Sequence, residues 1–271
     1  MKYALINGKR TESFPKGRAT CPVCGEMVIA KHGIYRAHHW SHKADSECEH
    51  WADKETQWHI DWQNKFPDEW HEYIQHDQSG EKHIADVRTI HGLVIEFQHS
   101  HLDPQERAKR ERFYGNMVWI VDGTRLKGDY PRFQKGIGSL LTTTNKKGHL
   151  LVPNPELCFP ADWSNSSVPV LFDFLGDGLI DPTDEQRKPL WCLLPNLEDK
   201  KAVVIKMSRE HFIETATKGP QVRQEPAPVT LINRQPQVQR VVLNADLLRA
   251  LPPDIYRQLT RRPKRWQSPR L

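Results

Sequence analysis

Long hydrophobic runs are missing from this sequence of 271 residues. No apolar stretch approaches the roughly 18 residues that a membrane-spanning helix needs. The opening residues Met1–Gly8 are too short and too polar to resemble a secretory signal. The mean hydropathy of −0.71 predicts a modest hydrophobic core, with part of the chain left outside it. We therefore expect a soluble, cytoplasmic protein.

Cysteine is sparse as well, with five residues in the whole chain. An odd number of cysteines in a chain without a secretory signal argues against a framework of disulfides. The thiols are therefore expected to be reduced, which leaves Cys21 and Cys24 available to a metal ion.

Positive charge is concentrated at one end of the chain. Between Lys218 and Leu271 there are eleven Lys and Arg residues against three acids, whereas acids are in excess over the rest of the chain. Such a tail suits binding to a polyanion such as DNA, or docking to a protein partner. The alternative interpretation is a solvated, disordered end.

Composition divides the chain into three segments: residues 1–50, 51–215 and 216–271. The first is a Cys- and His-rich module with strands predicted at 3–6 and 27–30, and the third is a Pro-, Gln- and Arg-rich tail with short helices at 244–251 and 254–262. In the middle segment, hydrophobic periodicity predicts helices over 51–66, 104–114 and 209–215. Strands are predicted there at 72–75, 84–89, 93–98, 117–121, 150–152, 168–174, 190–194 and 203–207. This order predicts an α/β fold with a crossover connection.

The most informative stretch is a predicted hairpin that carries two acids. A three-residue loop at 90–92 places Gly92 where a left-handed residue is needed. The strands then pair so that Asp86 lies opposite Glu96, with about 5 Å between the Cβ atoms. Like charges placed opposite each other are destabilising, and a divalent cation such as Mg²⁺ or Mn²⁺ relieves the repulsion.

Two alternatives to this metal site remain open. A two-residue loop would shift the register and place Asp86 opposite Phe97. The acids could also lie on a solvated strand face, where Arg88 and Gln98 partly neutralise them without a metal.

The pair Cys21-x-x-Cys24 is typical of one half of a structural zinc site. The second half must come from a cluster of later residues: His38, His39, His42, Cys48 and His50. His38 with His42 has the more usual spacing for two histidine ligands. The alternative is a metal-free turn followed by histidines that occur there by chance.

An Asp that precedes Glu-x-Lys by ten residues resembles the signature of the PD-(D/E)xK nuclease superfamily. Here Asp86 precedes Glu96-Phe97-Gln98, so Gln98 stands where that superfamily usually has Lys. More specifically, the chain resembles the competence protein CoiA-like family. The matching features are Cys21-Pro22-Val23-Cys24, His39-Trp40-Ser41-His42, Glu55 with His59, Asp86-Val87-Arg88, Ile95-Glu96-Phe97-Gln98-x-Ser100, the Arg-rich helix to Tyr114, and Trp119-Ile120-Val121.

This resemblance implies a restriction-endonuclease-like core, in which a mixed sheet is flanked by helices, between a zinc-knuckle module and the basic tail. It also implies a metal-dependent DNA endonuclease that hydrolyses phosphodiester bonds in DNA uptake, recombination or defence. Asp86 and Glu96 would hold one Mg²⁺ or Mn²⁺ ion, and the carbonyl of Phe97 is a candidate third ligand. Such an ion polarises the phosphate and lowers the pKa of a bound water molecule.

The resemblance assigns supporting roles to three further residues. Gln98 would orient water without carrying charge, and Glu55 would be the helix acid that completes the site. His59 would move a proton or contact phosphate. The alternatives are an exposed helix acid at Glu55 and a packed or surface histidine at His59.

The family motif selects His39 and His42 as the partners of Cys21 and Cys24, which gives a Cys2His2 zinc site. The resemblance also predicts contacts between DNA phosphates and three arginines of the basic helix: Arg107, Arg110 and Arg112. The alternative for each arginine is a place on a solvated basic face.

Two functions compete with the nuclease interpretation. Gln98 and the basic tail are compatible with a catalytically inactive DNA-binding or recombination factor on a nuclease fold. The chain could also be a structural subunit that docks a larger assembly through residues 219–271.

Overall fold

The computed structural model describes residues 1–34, 38–43, 48, 56–77, 80, 82–139, 142–143, 149–176, 183–195 and 201–219. The chain divides into two compact units, Met1–Thr217 and Lys218–Leu271. Apart from Lys218 and Gly219, everything described below belongs to the first unit. The tail helices predicted at 244–251 and 254–262 lie outside the described residues.

The N-terminal module is a five-stranded antiparallel sheet with the strand order β2-β1-β3-β4-β5. The strands are β1 (Tyr3–Ile6), β2 (Lys9–Glu12), β3 (Arg18–Thr20), β4 (Met27–Lys31) and β5 (His39–Ser41). A small core forms beneath them from Ala4, Ala19, Val28 and Trp40, together with Cys21 and Cys48. Two of these strands, β1 and β4, confirm the sequence prediction.

The second sheet has nine strands in the order β10-β11-β14-β13-β12-β9-β8-β7-β6. Their bounds are β6 (His71–His76), β7 (Lys82–Arg88), β8 (Val94–Gln98), β9 (Met117–Asp122), β10 (Thr142–Thr143), β11 (His149–Pro153), β12 (Val170–Asp173), β13 (Leu190–Leu193) and β14 (Lys201–Met207). Strands β8, β9 and β12 run parallel, whereas the other neighbours pair antiparallel. The sheet is therefore mixed.

Five α-helices accompany this sheet in the described part of the chain: α1 (Gln57–Gln63), α2 (Pro104–Tyr114), α3 (Asp129–Ser139), α4 (Ala161–Ser164) and α5 (Arg209–Lys218). Short 3-10 helices span Asp68–Trp70 and Pro155–Leu157. Helix α2 begins as predicted, because the Asp103 carboxylate accepts the backbone N–H of Gln105 at 2.8 Å and Pro104 occupies the first turn. No described helix is long and apolar enough to cross a membrane.

Helix α1 packs through the apolar face that periodicity predicts. Trp58, Trp62 and Phe66 are buried, and the Trp62 ring stacks on Phe97 of β8 with 6.0 Å between centroids. The helix is shorter than predicted: its N-cap is Thr56, and residues 51–55 lie outside the described part. This packing places α1 directly over the strand that carries Glu96.

The end of β12 anchors α1. One oxygen of Asp173, Oδ2, accepts the indole N–H groups of Trp58 at 3.1 Å and Trp62 at 2.9 Å. The other oxygen, Oδ1, pairs with Arg209 of α5 and accepts the N–H of Leu175 at 2.9 Å. A single buried carboxylate therefore joins two helices to the sheet.

Helix α2 lies against the sheet through the buried Glu111 carboxylate. This group pairs with Arg107 and accepts the indole N–H of Trp119 at 3.2 Å. It also accepts hydroxyl hydrogens of Ser166 at 2.8 Å and Ser167 at 2.7 Å. Every residue of β8 and β9 is buried, so the alternative of a solvated strand face around the acids is wrong.

Candidate functional site

The hairpin between β7 and β8 has the predicted three-residue turn. The backbone N–H of Thr89 donates to the carbonyl of Leu93 at 2.9 Å, and that of Gly92 donates to Thr89 at 2.9 Å. Gly92 adopts φ of 80°, the left-handed conformation for which the turn needs glycine. The strands pair Val87 with Ile95 and Arg88 with Val94, which confirms the predicted register.

The backbone ladder ends at the position of the two acids. The N–H of Phe97 donates at 2.8 Å to the Oδ2 atom of Asp86 rather than to a backbone carbonyl. On the other side, Gln63 of α1 donates its amide N–H to the Asp86 carbonyl at 3.1 Å. The Asp86 side chain is therefore fixed in the gap where the two strands separate.

Asp86 is 6% exposed, and its Oδ1 atom lies 3.2 Å from Nε2 of His59 on α1. Burial by itself would raise the pKa of this carboxyl. The charge and hydrogen bond of His59, the Phe97 N–H and the more distant charge of Arg110 outweigh burial, so the pKa lies below its usual value. Asp86 is consequently a fixed anion at neutral pH.

Glu96 has a different environment on the neighbouring strand. It is 2% exposed, and its Oε2 atom lies 3.3 Å from Nη1 of Arg110 on α2. Its Oε1 atom is buried, and no residue in the described part of the chain is its hydrogen-bond partner. Burial and the negative charge of Asp86 raise the pKa of Glu96 to about 8, despite the opposing effect of Arg110.

The chemistry of this acid pair fits a divalent cation. Carboxylate oxygens are the ligands that Mg²⁺ and Mn²⁺ prefer. Within the described ranges, the Oε1 atom of Glu96 lacks the hydrogen-bond partner that a buried oxygen normally has. A cation would also offset the repulsion that raises the Glu96 pKa. Because the pair supplies only two side-chain ligands, water or backbone carbonyls would complete the coordination.

Of the other residues expected at this site, His59 contacts Asp86, whereas Glu55 lies outside the described residues. Gln98 is buried at the end of β8, and its amide nitrogen donates to the carbonyl and the hydroxyl oxygens of Ser100, each at 3.1 Å. The side-chain amide of Gln98 is therefore hydrogen-bonded to Ser100 at the C-terminal end of β8.

The three arginines expected to contact DNA have three different environments. Arg107 is 4% exposed and ion-paired with Glu111, so it is not available to DNA, contrary to expectation. Arg110 points into the acid pair. Arg112 is exposed in the last turn of α2 and remains a candidate phosphate contact.

A second site lies in the N-terminal module. The ligand-type atoms of Cys21, Cys24, His42 and Cys48 all lie within 4.8 Å of one another. The turn that begins at Cys21 is closed by the Gly25 N–H, which donates to the Cys21 carbonyl at 3.0 Å, and Gly25 adopts φ of 77°. Three thiols and one imidazole form a closed set of four that suits structural zinc.

This ligand set corrects the one expected from the family motif. Cys48 takes the place of His39, because successive residues of a strand point to opposite faces and His39 and His42 are three positions apart. Trp40, the neighbour of His39 in β5, packs into the module's core with Cys21. The competing ligand His38 stacks on His32 with 4.0 Å between ring centroids.

Burial and the neighbouring thiols of Cys24 and Cys21 raise the pKa of Cys48 to about 12. Thiols crowded in this way resist ionisation, and a bound cation reverses that preference because it stabilises the thiolates. The cluster is therefore chemically suited to a metal such as zinc.

A His–Asp pair at the carboxyl ends of the parallel strands was not predicted from the sequence. Nδ1 of His99 lies 2.7 Å from Oδ2 of Asp122. The other Asp122 oxygen accepts the backbone N–H and the hydroxyl of Thr124, at 2.8 and 2.6 Å. An acid directly after a buried strand was the available signal, since this edge of a parallel sheet is a common place for polar sites.

The fold and these sites define an α/β protein with a mixed sheet flanked by helices and an N-terminal Cys/His cluster able to hold a metal. The family profile "Competence protein CoiA, N-terminal domain" matches residues 8–50. Competence protein CoiA of Bacillus subtilis (strain 168) is 23% identical over 141 residues, which cover 46% of this chain and 37% of the relative. Both matches support the CoiA-like family that the sequence motifs indicate. No solved structure matches the chain.

Proposed function

We propose that this chain is a divalent-metal-dependent DNA endonuclease. The observation that carries the proposal is the buried pair of Asp86 and Glu96, in which the Oε1 atom of Glu96 has no hydrogen-bond partner among the described residues. Two buried carboxylates side by side are costly to a fold, and such perturbed acids are concentrated at functional sites.

In this proposal Asp86 and Glu96 hold one Mg²⁺ or Mn²⁺ ion. When bound, such an ion polarises a phosphate and lowers the pKa of a water ligand. The Phe97 N–H keeps the Asp86 carboxylate oriented, and α1 limits the access of bulk water from one side of the sheet. The raised pKa of Glu96 means that a cation would replace a proton at this carboxyl.

The proposed reaction is hydrolysis of a phosphodiester. The oxygen of a water molecule bonds to phosphorus while the bond from phosphorus to the leaving sugar oxygen breaks. Water loses one proton and the sugar oxygen gains one, so the products are a phosphomonoester and a hydroxyl group. His59, whose Nε2 lies against Asp86, is placed to move a proton in this reaction.

The biological setting follows from the family. The matched relative is named a competence protein, so we propose a role in DNA uptake or in the recombination connected with it. The Cys/His cluster would hold zinc as a structural ion, and the basic tail would bind DNA or a protein partner.

A DNA-binding factor without catalytic activity is the second candidate. The observation that favours it is Gln98, which carries no charge and whose amide nitrogen donates to Ser100. A protein of this kind would bind DNA and need the tail, and substitution of Asp86 would leave its function intact.

The test is cleavage of labelled single-stranded, duplex and branched DNA with Mg²⁺, Mn²⁺ or EDTA. Wild-type protein is compared with Asp86→Ala and Glu96→Ala, and with Asp162→Ala as a control at a half-exposed acid on α4. The proposal expects metal-dependent cleavage that both acid variants lose and the control keeps. Binding without cleavage in every variant would favour the second candidate.

A further inference from the structure

The acid pair is in contact with two basic side chains in the described part of the chain. His59 lies against Asp86, and Arg110 lies against Glu96. Of the two, only Arg110 carries a charge that is independent of pH over the working range of an enzyme. Arg110 is therefore the permanent cation of the site.

The guanidinium of Arg110 extends from the protein surface to the buried acid. Its Nε atom donates to Oε1 of Glu106 at 3.0 Å, and Nη1 lies 3.3 Å from Oε2 of Glu96. The Arg110 side chain is 25% exposed, so a ligand can approach it from solvent. No described residue accepts a hydrogen bond from Nη2, which leaves donors for such a ligand.

Gln98 cannot supply this charge. It is neutral, and its amide nitrogen already donates to Ser100. A phosphodiester gains negative charge on its non-bridging oxygens in hydrolysis, and a cation near the reaction centre stabilises that charge. The planar fork of an arginine matches two phosphate oxygens at once.

We propose that Arg110 is a catalytic residue that binds the scissile phosphate and supplies the positive charge absent at Gln98. The inference rests on the proposed nuclease function and assigns Arg110 a more specific role than general attraction of DNA. Glu106, which fixes the Nε atom, is a positioning residue for this guanidinium. The role predicts an effect on kcat larger than the effect on DNA affinity, because the charge develops in the transition state.

The experiment measures kcat and DNA affinity for wild type, Arg110→Met, Lys109→Met and the double variant Gln98→Lys/Arg110→Met. Lys109→Met is the matched control, because Lys109 is an exposed cation of the same helix. We expect Arg110→Met to lower kcat by roughly 100-fold or more, with affinity changed by only a few-fold. The double variant is expected to recover at least a tenth of wild-type kcat, because lysine at position 98 restores a cation beside the acids.

Three results would overturn the assignment. The first is an Arg110→Met variant with wild-type kcat while Asp86→Ala abolishes cleavage, which would leave the nuclease function standing. The second is an equal loss in Lys109→Met, which would indicate a general electrostatic effect. The third is a wild-type protein that cleaves no DNA, which would remove the nuclease function together with the role of Arg110. Thermal unfolding of each variant separates loss of charge from loss of fold. Glu106→Gln is measured as well, because it disturbs the same guanidinium more mildly and leaves its charge in place.

Discussion

The backbone N–H of Phe97 donates to the carboxylate of Asp86, at the point where β7 and β8 stop pairing through their backbones. Asp86 is thereby tied to the strand that carries Glu96, and the two acids meet in the gap between the strands. The arrangement fixes one carboxylate as an anion, whereas the pKa of the other is raised. A bound cation would remove this difference in pKa, because it would stabilise the charged form of both carboxylates.

The first prediction concerns the ligands of the Cys/His cluster. Cys48→Ala removes one of the four clustered ligands, so the purified protein should lose most of its bound zinc. His39→Ala should keep one zinc ion per chain, because His39 lies outside that group of four. Metal content measured by mass spectrometry tests both variants. If Cys48→Ala kept its zinc and His39→Ala lost it, the ligands would instead be those of the family motif, with His39 in place of Cys48.

The second prediction concerns Asp173 as the anchor of α1. Asp173→Asn removes the charge that faces Arg209 and weakens the bonds to the Trp58 and Trp62 indoles. Breaking a buried charged pair of this kind costs about 3–5 kcal/mol of unfolding free energy. Urea denaturation should show this loss, whereas Asp162→Asn, at a half-exposed acid, should change little. Equal stabilities for the two variants would contradict the anchoring role.

The third prediction is a pH dependence of stability that arises from His71. Burial lowers the pKa of His71 below its usual value, although the bond to the Phe66 carbonyl opposes the shift. In the unfolded chain, His71 therefore binds a proton as the pH falls below about 6.5, whereas in the folded protein it stays neutral to a lower pH. The stability that His71 contributes is present above about pH 6.5. It is lost as the pH falls towards the pKa of His71 in the folded protein.

The free energy of unfolding between pH 8 and pH 5 measures this effect. His71→Gln keeps an amide donor in place of Nε2 but does not titrate, so its stability should fall less steeply with acid than that of wild type. His101→Gln, at an exposed histidine, is the control and should follow wild type. Parallel curves for wild type and His71→Gln would show that His71 has no part in the pH dependence.

The fourth prediction concerns the basic tail. Deletion of residues 220–271 removes ten of its eleven Lys and Arg residues. If the tail binds phosphates, DNA affinity should fall and the dependence of affinity on salt should become shallower, because fewer counterions are released. Fluorescence anisotropy at several salt concentrations tests this, and unchanged affinity and salt slope would leave docking of a protein partner as the role of the tail.

Local chemistry made part of the fold predictable from the sequence. Gly92 specifies the turn between β7 and β8, and the alternation around it specifies the register that places the acids together. The spacing of Trp58, Trp62 and Phe66 specifies the buried face of α1 in the same way. These features depend on neighbours within one helix or hairpin, which periodicity and turn chemistry describe.

Features that depend on distant parts of the chain escaped prediction. Arg107 and Arg110 belong to one helix, yet Arg107 is buried against Glu111 and Arg110 reaches Glu96. Helix α3 was not predicted because Pro131 and two glycines interrupt its pattern. The presence of Cys48 rather than His39 among the four clustered ligands likewise depends on the tertiary structure of the module, which spacing alone does not determine.

The most direct test of the central claim is a comparison of wild type with Glu96→Gln in one cleavage and binding experiment. Glutamine keeps the size of the side chain and removes the charge that would hold the cation. DNA cleavage is followed with Mg²⁺ or Mn²⁺, and DNA binding is measured on the same samples in EDTA. We expect metal-dependent cleavage by wild type and, for Glu96→Gln, unchanged binding with cleavage reduced by roughly 100-fold or more. Cleavage by Glu96→Gln at the wild-type rate would contradict the assignment of the acid pair as the catalytic centre.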